Sequence, residues 1–235
     1  MRKMLKRLFG KRETPVPAGT PLLDEELIKL EREASTADDF HRAQLFNRAG
    51  DLCAQDRERV RAMSYYGRAI DAYLVADHYD AAVAMCRKII RFEPTVVRAH
   101  CTLALLAVGN RFLGDAEREI DAYVAAASRS RTEHLAIPRL RLMAEAAGSG
   151  RVRRRVADHL HALGDDAGAE QVLLTLGDVP EVGDPIACDG EQWQRLVRVA
   201  LTDTVPLWGE AGPAAPTHGS PGGGAPHVIP TPSVA

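Results

Sequence analysis

Residues 63–94, MSYYGRAIDAYLVADHYDAAVAMCRKIIRFEP, read as two short helices joined by a tight turn and closed by a proline. Tyr66, Ala69, Ile70, Tyr73 and Leu74 recur at steps of three and four in the first, and Tyr79, Ala82, Val83, Cys86, Ile89 and Ile90 do so in the second. That spacing gathers apolar side chains on one face of a helix. Alanines stand where the two helices must approach, and aromatics fill the gaps beside them. Such a pair cannot bury its own apolar face, so neighbouring helices must cover it.

Working outward, the helical pattern hardly stops between residues 36 and 176. The periodicity predicts helices at about 36–55, 58–76, 79–92, 95–108, 113–128, 134–147, 150–163 and 166–176, with connectors short enough to make consecutive helices antiparallel neighbours. Before them, Thr20 as N-cap and Pro21 in the first turn open a helix with Leu23, Leu27 and Leu30 on one face. The stretch ETPVPAGTP at residues 13–21 reads as a flexible linker, and the Pro/Gly-rich residues 204–235 as a disordered tail.

The pair at 63–94 resembles the tetratricopeptide repeat, a 34-residue helix-turn-helix unit with large, small and aromatic positions on its first helix and small, bulky positions and a closing proline on its second. Tyr66, Ala69 and Tyr73, then Ala82, Cys86, Ile89 and Pro94, take those roles. Ile70 and Ile89 are larger than the family's usual residues there, and the turn at 76–80 lacks its glycine. Fainter echoes extend the resemblance over residues 39–176, including Phe46, Ala49 and Cys53 upstream and the turn at Gly164 and Asp165 downstream. The resemblance implies an all-α, right-handed α-solenoid of antiparallel helix pairs over residues 22–176. A generic helix bundle is the competing reading, and both make the chain a helical stack.

A stack needs ends. Residues 192–201, QWQRLVRVAL, place Trp193, Leu196, Val197, Ala200 and Leu201 on one face after the punctuated stretch 177–190. The expected role within residues 177–203 is a linker and a helix that caps the last apolar surface; the rival is a detachable helix that docks on a partner.

Chemistry is sparse. The sequence has no GxxxxGK[ST] phosphate loop, HExxH or GxSxG motif, so neither an enzyme nor a cofactor or metal is expected. His159 and His161, two apart on a helix, face different ways. Cys53, Cys86, Cys101 and Cys188 form no CxxC pair and read as small buried hydrophobes in a reducing compartment. No run approaches a membrane span and no secretory signal is recognisable, so cytoplasm is the expected location. The alanine- and arginine-rich, lysine-poor composition suggests a high-GC bacterial genome.

Binding is the function class left. The family resemblance implies a protein or peptide partner in the groove lined by the first helix of each pair, where Ser64, Gly67, Asp71, Leu74 and Val75 would face it. Asp71 would repel a carboxylate, which argues against the clamp for C-terminal carboxylates known in the family. The net charge of −2 hides segregation: residues 129–155 carry eight arginines against two acids, and residues 156–203 ten acids against two arginines. Arg151, Arg154 and Arg155, with Arg139 and Arg141, form a candidate patch for an acidic peptide, a phosphorylated partner or nucleic acid. The preferred reading has these arginines neutralised by the acidic block that follows. Nucleic acid ranks lower still, because no aromatic is interleaved for base stacking. In MRKMLKRLFGKR at residues 1–12, Met1, Met4, Leu5, Leu8 and Phe9 fall on one helical face and Arg2, Lys3, Lys6 and Arg7 on the other. Weak peripheral contact with an anionic membrane and a disordered start both remain open for that segment. The expectation is a non-catalytic interaction scaffold, with an acidic-ligand- or nucleic-acid-binding helical module as the alternative.

Overall fold

The computed structural model describes residues 21–109, 113–181 and 186–202. The expectations for Met1, Met4, Leu5, Lys6, Arg7, Leu8 and Phe9, the linker up to residue 20 and the tail from residue 203 lie outside the described residues. Within them the fold is all-α: α1 (Pro21–Thr36), α2 (Asp39–Gln55), α3 (Arg59–Val75), α4 (Tyr79–Phe92), α5 (Val97–Gly109), α6 (Leu113–Arg129), α7 (Glu133–Ala146), α8 (Gly150–Ala162), α9 (Asp166–Leu174) and α10 (Gly190–Thr202). A 3-10 turn, Leu176–Asp178, follows α9. None of these helices is long and apolar enough to cross a membrane.

Local signals set the helix ends. Asp38 caps α2 by accepting from the His41 N–H at 2.8 Å, which starts that helix three residues later than its periodicity suggests. Asp165 caps α9 through the Gly168 N–H at 3.2 Å. Four helices stop in the same way. Arg57, Asp77, Arg131 and Gly164 adopt φ of 64°, 58°, 56° and 83° after α2, α3, α6 and α8. In each case the next residue's N–H bonds the carbonyl five positions back: Glu58 to Cys53, His78 to Tyr73, Thr132 to Ala127 and Asp165 to Leu160, all at 2.8–2.9 Å. This left-handed closure satisfies carbonyls that the helix end leaves open. The turn at 76–80, which lacks a glycine, makes it with Asp77, a residue type that tolerates the left-handed region.

From α1 to α9 each helix packs on the next. Arg59 at the start of α3 meets Glu93, just past the end of α4, at 3.1 Å, so those two helices run antiparallel. Fully buried alanines, among them Ala62, Ala69, Ala82, Ala99 and Ala104, let the backbones approach. Tyr66 is also fully buried; its ring lies over Gly50, where an added Cβ would fall 2.4 Å from ring carbons. The Tyr66 hydroxyl donates to Asp51 at 2.7 Å.

Polar side chains tie several helices to the next but one. Arg68 of α3 pairs with Glu31 of α1 at 2.7 Å, Lys88 of α4 with Asp51 of α2, and Arg155 of α8 with Asp121 of α6 at 2.6 Å. The partners stand 37, 37 and 34 residues apart, about one helix pair. Cys53, Cys86 and Cys101 are buried, while Cys188 is half-buried. Burial pushes the Cys53 thiol up to about 11 and raises Cys86 further.

The C-terminal helix departs from expectation. α10 does not cover the far end of the row beyond α9; its neighbours are α5, α7 and α3. Its apolar residues Leu196, Val197 and Ala200 are buried there, and α9 is left with Leu173 and Leu174 exposed.

Candidate interaction surface

α5, VRAHCTLALLAVG, is apolar almost all round, and that decides where the surface lies. A helix of this kind must be covered on every side. α4 and α6 cover it in the row, α7 adjoins it, and α10 closes the remaining side. Leu196, Val197 and Ala200 of α10 are buried there, while Glu191, Arg195 and Arg198 face outward.

The two ends of α10 are fixed by different chemistry. Near its start, the Trp193 ring meets Tyr79 edge-on with centroids 4.7 Å apart. The indole also lies against Gly109, at the end of α5, where an added Cβ would stand 2.0 Å from a ring carbon. Glycine is therefore required at 109 for the indole to seat. Near its end, Arg98 of α5, 1% exposed, reaches two backbone carbonyls of the helix: Ala200 at 3.3 Å and Leu201 at 3.5 Å. A cation suits that end, where the helix dipole is negative. Asp71 of α3 balances the same guanidinium at 2.5 Å. On the α7 side, Glu145 holds Arg195 at 3.1 Å, and its carbonyl accepts from the Gln192 side chain at 3.3 Å.

The route to α10 is also specific. The Gly150 N–H donates to the Pro180 carbonyl at 3.0 Å, and the Ile186 N–H to the Gly148 carbonyl at 2.8 Å. A Cβ at Gly148 would lie 1.7 Å from the Ile186 oxygen, so the chain crosses the α7–α8 turn only because residue 148 has no side chain.

The groove residues read from the sequence separate. Asp71 lies beside α10 through Arg98, and Gly67 is buried. Leu74, at 1% exposure, belongs to the core and presents nothing to a ligand, because it lies on the apolar stripe that α3 turns inward. Ser64 and Val75 are exposed. Sequence reasoning missed Arg98, Gly109, Glu145 and Gly148. The all-round apolarity of α5 was the signal available, since it demands a cover that two flanking helices cannot supply.

The arginine patch is largely engaged. Arg151 pairs with Glu117 at 2.9 Å, and Arg155 holds Asp121 through two nitrogens at 2.7 and 2.6 Å. Arg154 pairs with Glu181, and Arg141 with Asp165 at 2.5 Å. Arg139 is buried and donates to the Leu135 carbonyl at 2.5 Å. Two of the balancing acids come from α6, which precedes the patch, so the acidic block that follows supplies only part of the neutralisation. Hydrogen bonding from Arg155 holds the Asp121 carboxyl below its usual range, with His159 adding a second contact at 2.6 Å. His161 turns to Asp166 instead, at 2.5 Å. Among the described residues no group of three or more His, Cys, Asp or Glu is placed to hold a metal ion.

A cavity of about 350 Å³ opens between α7, α8 and α9. Arg153 in its wall donates to the Ala147 carbonyl at 2.9 Å and the Thr175 carbonyl at 2.8 Å, clamping the ends of α7 and α9. With Arg141 and Arg153 facing Glu145 and Asp178, its lining favours neither charge sign. Comparison of the chain with protein-family models, with curated proteins and with solved structures finds no match.

Proposed function

We propose that this chain is a non-catalytic protein-interaction module. Its helices form a right-handed, tetratricopeptide-like solenoid of antiparallel pairs, and its working surface is the face of α3, α5 and α7. One observation carries the reading: a one-sided amphipathic helix already lies across that face, with its aromatic residue in a glycine-floored hollow and its last carbonyls on a buried arginine. Laying an apolar helix face into a groove is a recurring mode of recognition, read as anchors at steps of three and four. Ion pairs between α1 and α3, α2 and α4, and α6 and α8, at separations of 37, 37 and 34 residues, support the solenoid part of the proposal.

The arginine surface is the weaker reading, because Arg141, Arg151, Arg154 and Arg155 each hold an acid of this same chain. The proposal also sets the module in a bacterial cytoplasm, with residues 1–12 able to touch an anionic membrane. The deciding experiment immobilises the full chain and compares capture from native extract with and without an excess of a synthetic peptide of residues 189–203. A partner that the peptide competes away supports the reading; capture that the peptide leaves unchanged overturns it. Retention on heparin that is lost when Arg151, Arg154 and Arg155 become alanine would favour the arginine surface instead.

A further inference from the structure

We propose that α10 is a displaceable internal ligand of the α3–α5–α7 face. Its competitor is a partner helix of the same chemistry, and the inference rests on the module reading above. The partner's required pattern is set by α10 itself: a bulky aromatic, apolar residues three and four positions on, a small residue at the seventh, and backbone carbonyls at the seventh and eighth within reach of Arg98.

Three observations separate α10 from the rest of the core. First, α10 carries its own helix start. The Gln192 N–H donates to the Asp189 carboxylate at 2.8 Å, and the Asp189 N–H returns to the Gln192 side chain at 3.2 Å. This reciprocal capping box satisfies two N–H groups of the first turn from within the segment. Second, the neighbours of α10 are remote in sequence. Arg98 and Ala200 are 102 residues apart, and α9, which precedes α10, is not among the helices it packs on.

Third, the seat holds a buried charge. When α10 leaves, Arg98 keeps Asp71 and regains water. Rehydration of this charge offsets part of the cost of exposing the apolar floor. The seat also discriminates. Gly109 gives the indole its depth, so a helix without the aromatic leaves that hollow unfilled.

A tethered occupant acts at an effective concentration on the order of millimolar, so an external helix must outcompete that before it binds. The test uses full-length chains and a fluorescein-labelled peptide, DGEQWQRLVRVALTD, residues 189–203. Leu196→Asp prevents the chain from seating its own helix. The peptide should bind this variant at least tenfold tighter than the wild type by fluorescence anisotropy, with far-UV circular dichroism little changed. Trp193→Ala in the peptide, or Gly109→Ala added to the chain, should remove the binding.

If Leu196→Asp loses helicity, Trp193→Ala in the chain carries the same comparison without a buried charge. Equal affinity for wild type and variant overturns the proposal, as does unfolding of both variants, which would make α10 an inseparable part of the core. A concentration-dependent dimer that Leu196→Asp abolishes would overturn the partner-helix assignment and put a second copy's α10 in the seat. Tight peptide binding to the variant, combined with extract capture that the peptide does not compete, would leave displacement standing and sink the module reading. The two failures are therefore distinguishable.

Discussion

Among the described residues two aromatic rings rest over glycines, and they do opposite work. Tyr66 over Gly50 joins α3 to α2, its neighbour in the chain; the ring is fully buried, and its hydroxyl is fixed on Asp51. Trp193 over Gly109 joins α10 to a helix some 80 residues earlier, and the indole stays half-buried against Tyr79. Removing a side chain is the same local device in both places. What differs is the cover: helices adjacent in sequence close over the first ring, and a single remote helix brings the second. The first contact is thereby part of the fold, and the second is a docking event that the fold permits.

The comparison breaks most visibly at Tyr66. Tyr66→Ala should cost about 3–5 kcal/mol in urea unfolding, the range for truncating a large buried aromatic. A loss as small as that of a surface residue would put the two seats in one class. Arg98→Ala is next. It removes the guanidinium 2.5 Å from Asp71, but the Asp71 side chain is 36% exposed, so the loss should be about 1–3 kcal/mol, below the roughly 3–5 of a fully buried pair. Amide exchange should place most of that loss in α10.

Gly109→Ala sharpens the contrast. The clash with the indole is relieved by lifting α10, so global stability should fall by about 1 kcal/mol while a clash with no escape could cost up to about 3. Trp193 emission, read in a Trp208→Phe background, should shift to the red without loss of far-UV signal. Gly50→Ala has no such escape, because α2 and α3 cannot part without unfolding.

Acid tests the ties rather than the rings. Arg68 holds Glu31, and Arg155 holds Asp121, below the usual carboxylate range. The folded values lie under the unfolded ones, near 4, so these pairs contribute fully above about pH 5 and are lost as pH falls through the folded values. Stability measured by denaturant should therefore decline below about pH 4, and Glu31→Gln with Asp121→Asn should flatten that decline. The smallest effect lies in the turns. Arg57 and Arg131 are held in the left-handed region at φ of 64° and 56°, and glycine at either should stabilise by roughly 0.5–1 kcal/mol, seen as a small rise in Tm.

Much of the helical order was legible because three- and four-residue periodicity and short connectors act locally. Tyr66, Ala69, Ala82 and Cys86, read as interior from spacing alone, are fully buried. The C-terminal helix was legible as amphipathic, but its seat was not. Amphipathicity states that a face must be covered and is silent about which of several apolar surfaces covers it. Arg98 shows the same limit from the other side: an arginine inside an apolar helix reads as solvent-facing until the carbonyls it serves, 102 residues away, are in place. The arginine patch was legible as charge and illegible as pairing, because its acids on α6 come into reach only when helices two apart stack.

The 102-residue span between Arg98 and Ala200 also has a meaning in time. Contacts among neighbouring helices close short loops and form early, whereas long-range contacts wait. During synthesis at roughly 5–20 residues per second, the inner side of α5 emerges several seconds before the helix that covers it. Each newly made copy thus presents its seat once, uncovered, before its own α10 exists to fill it.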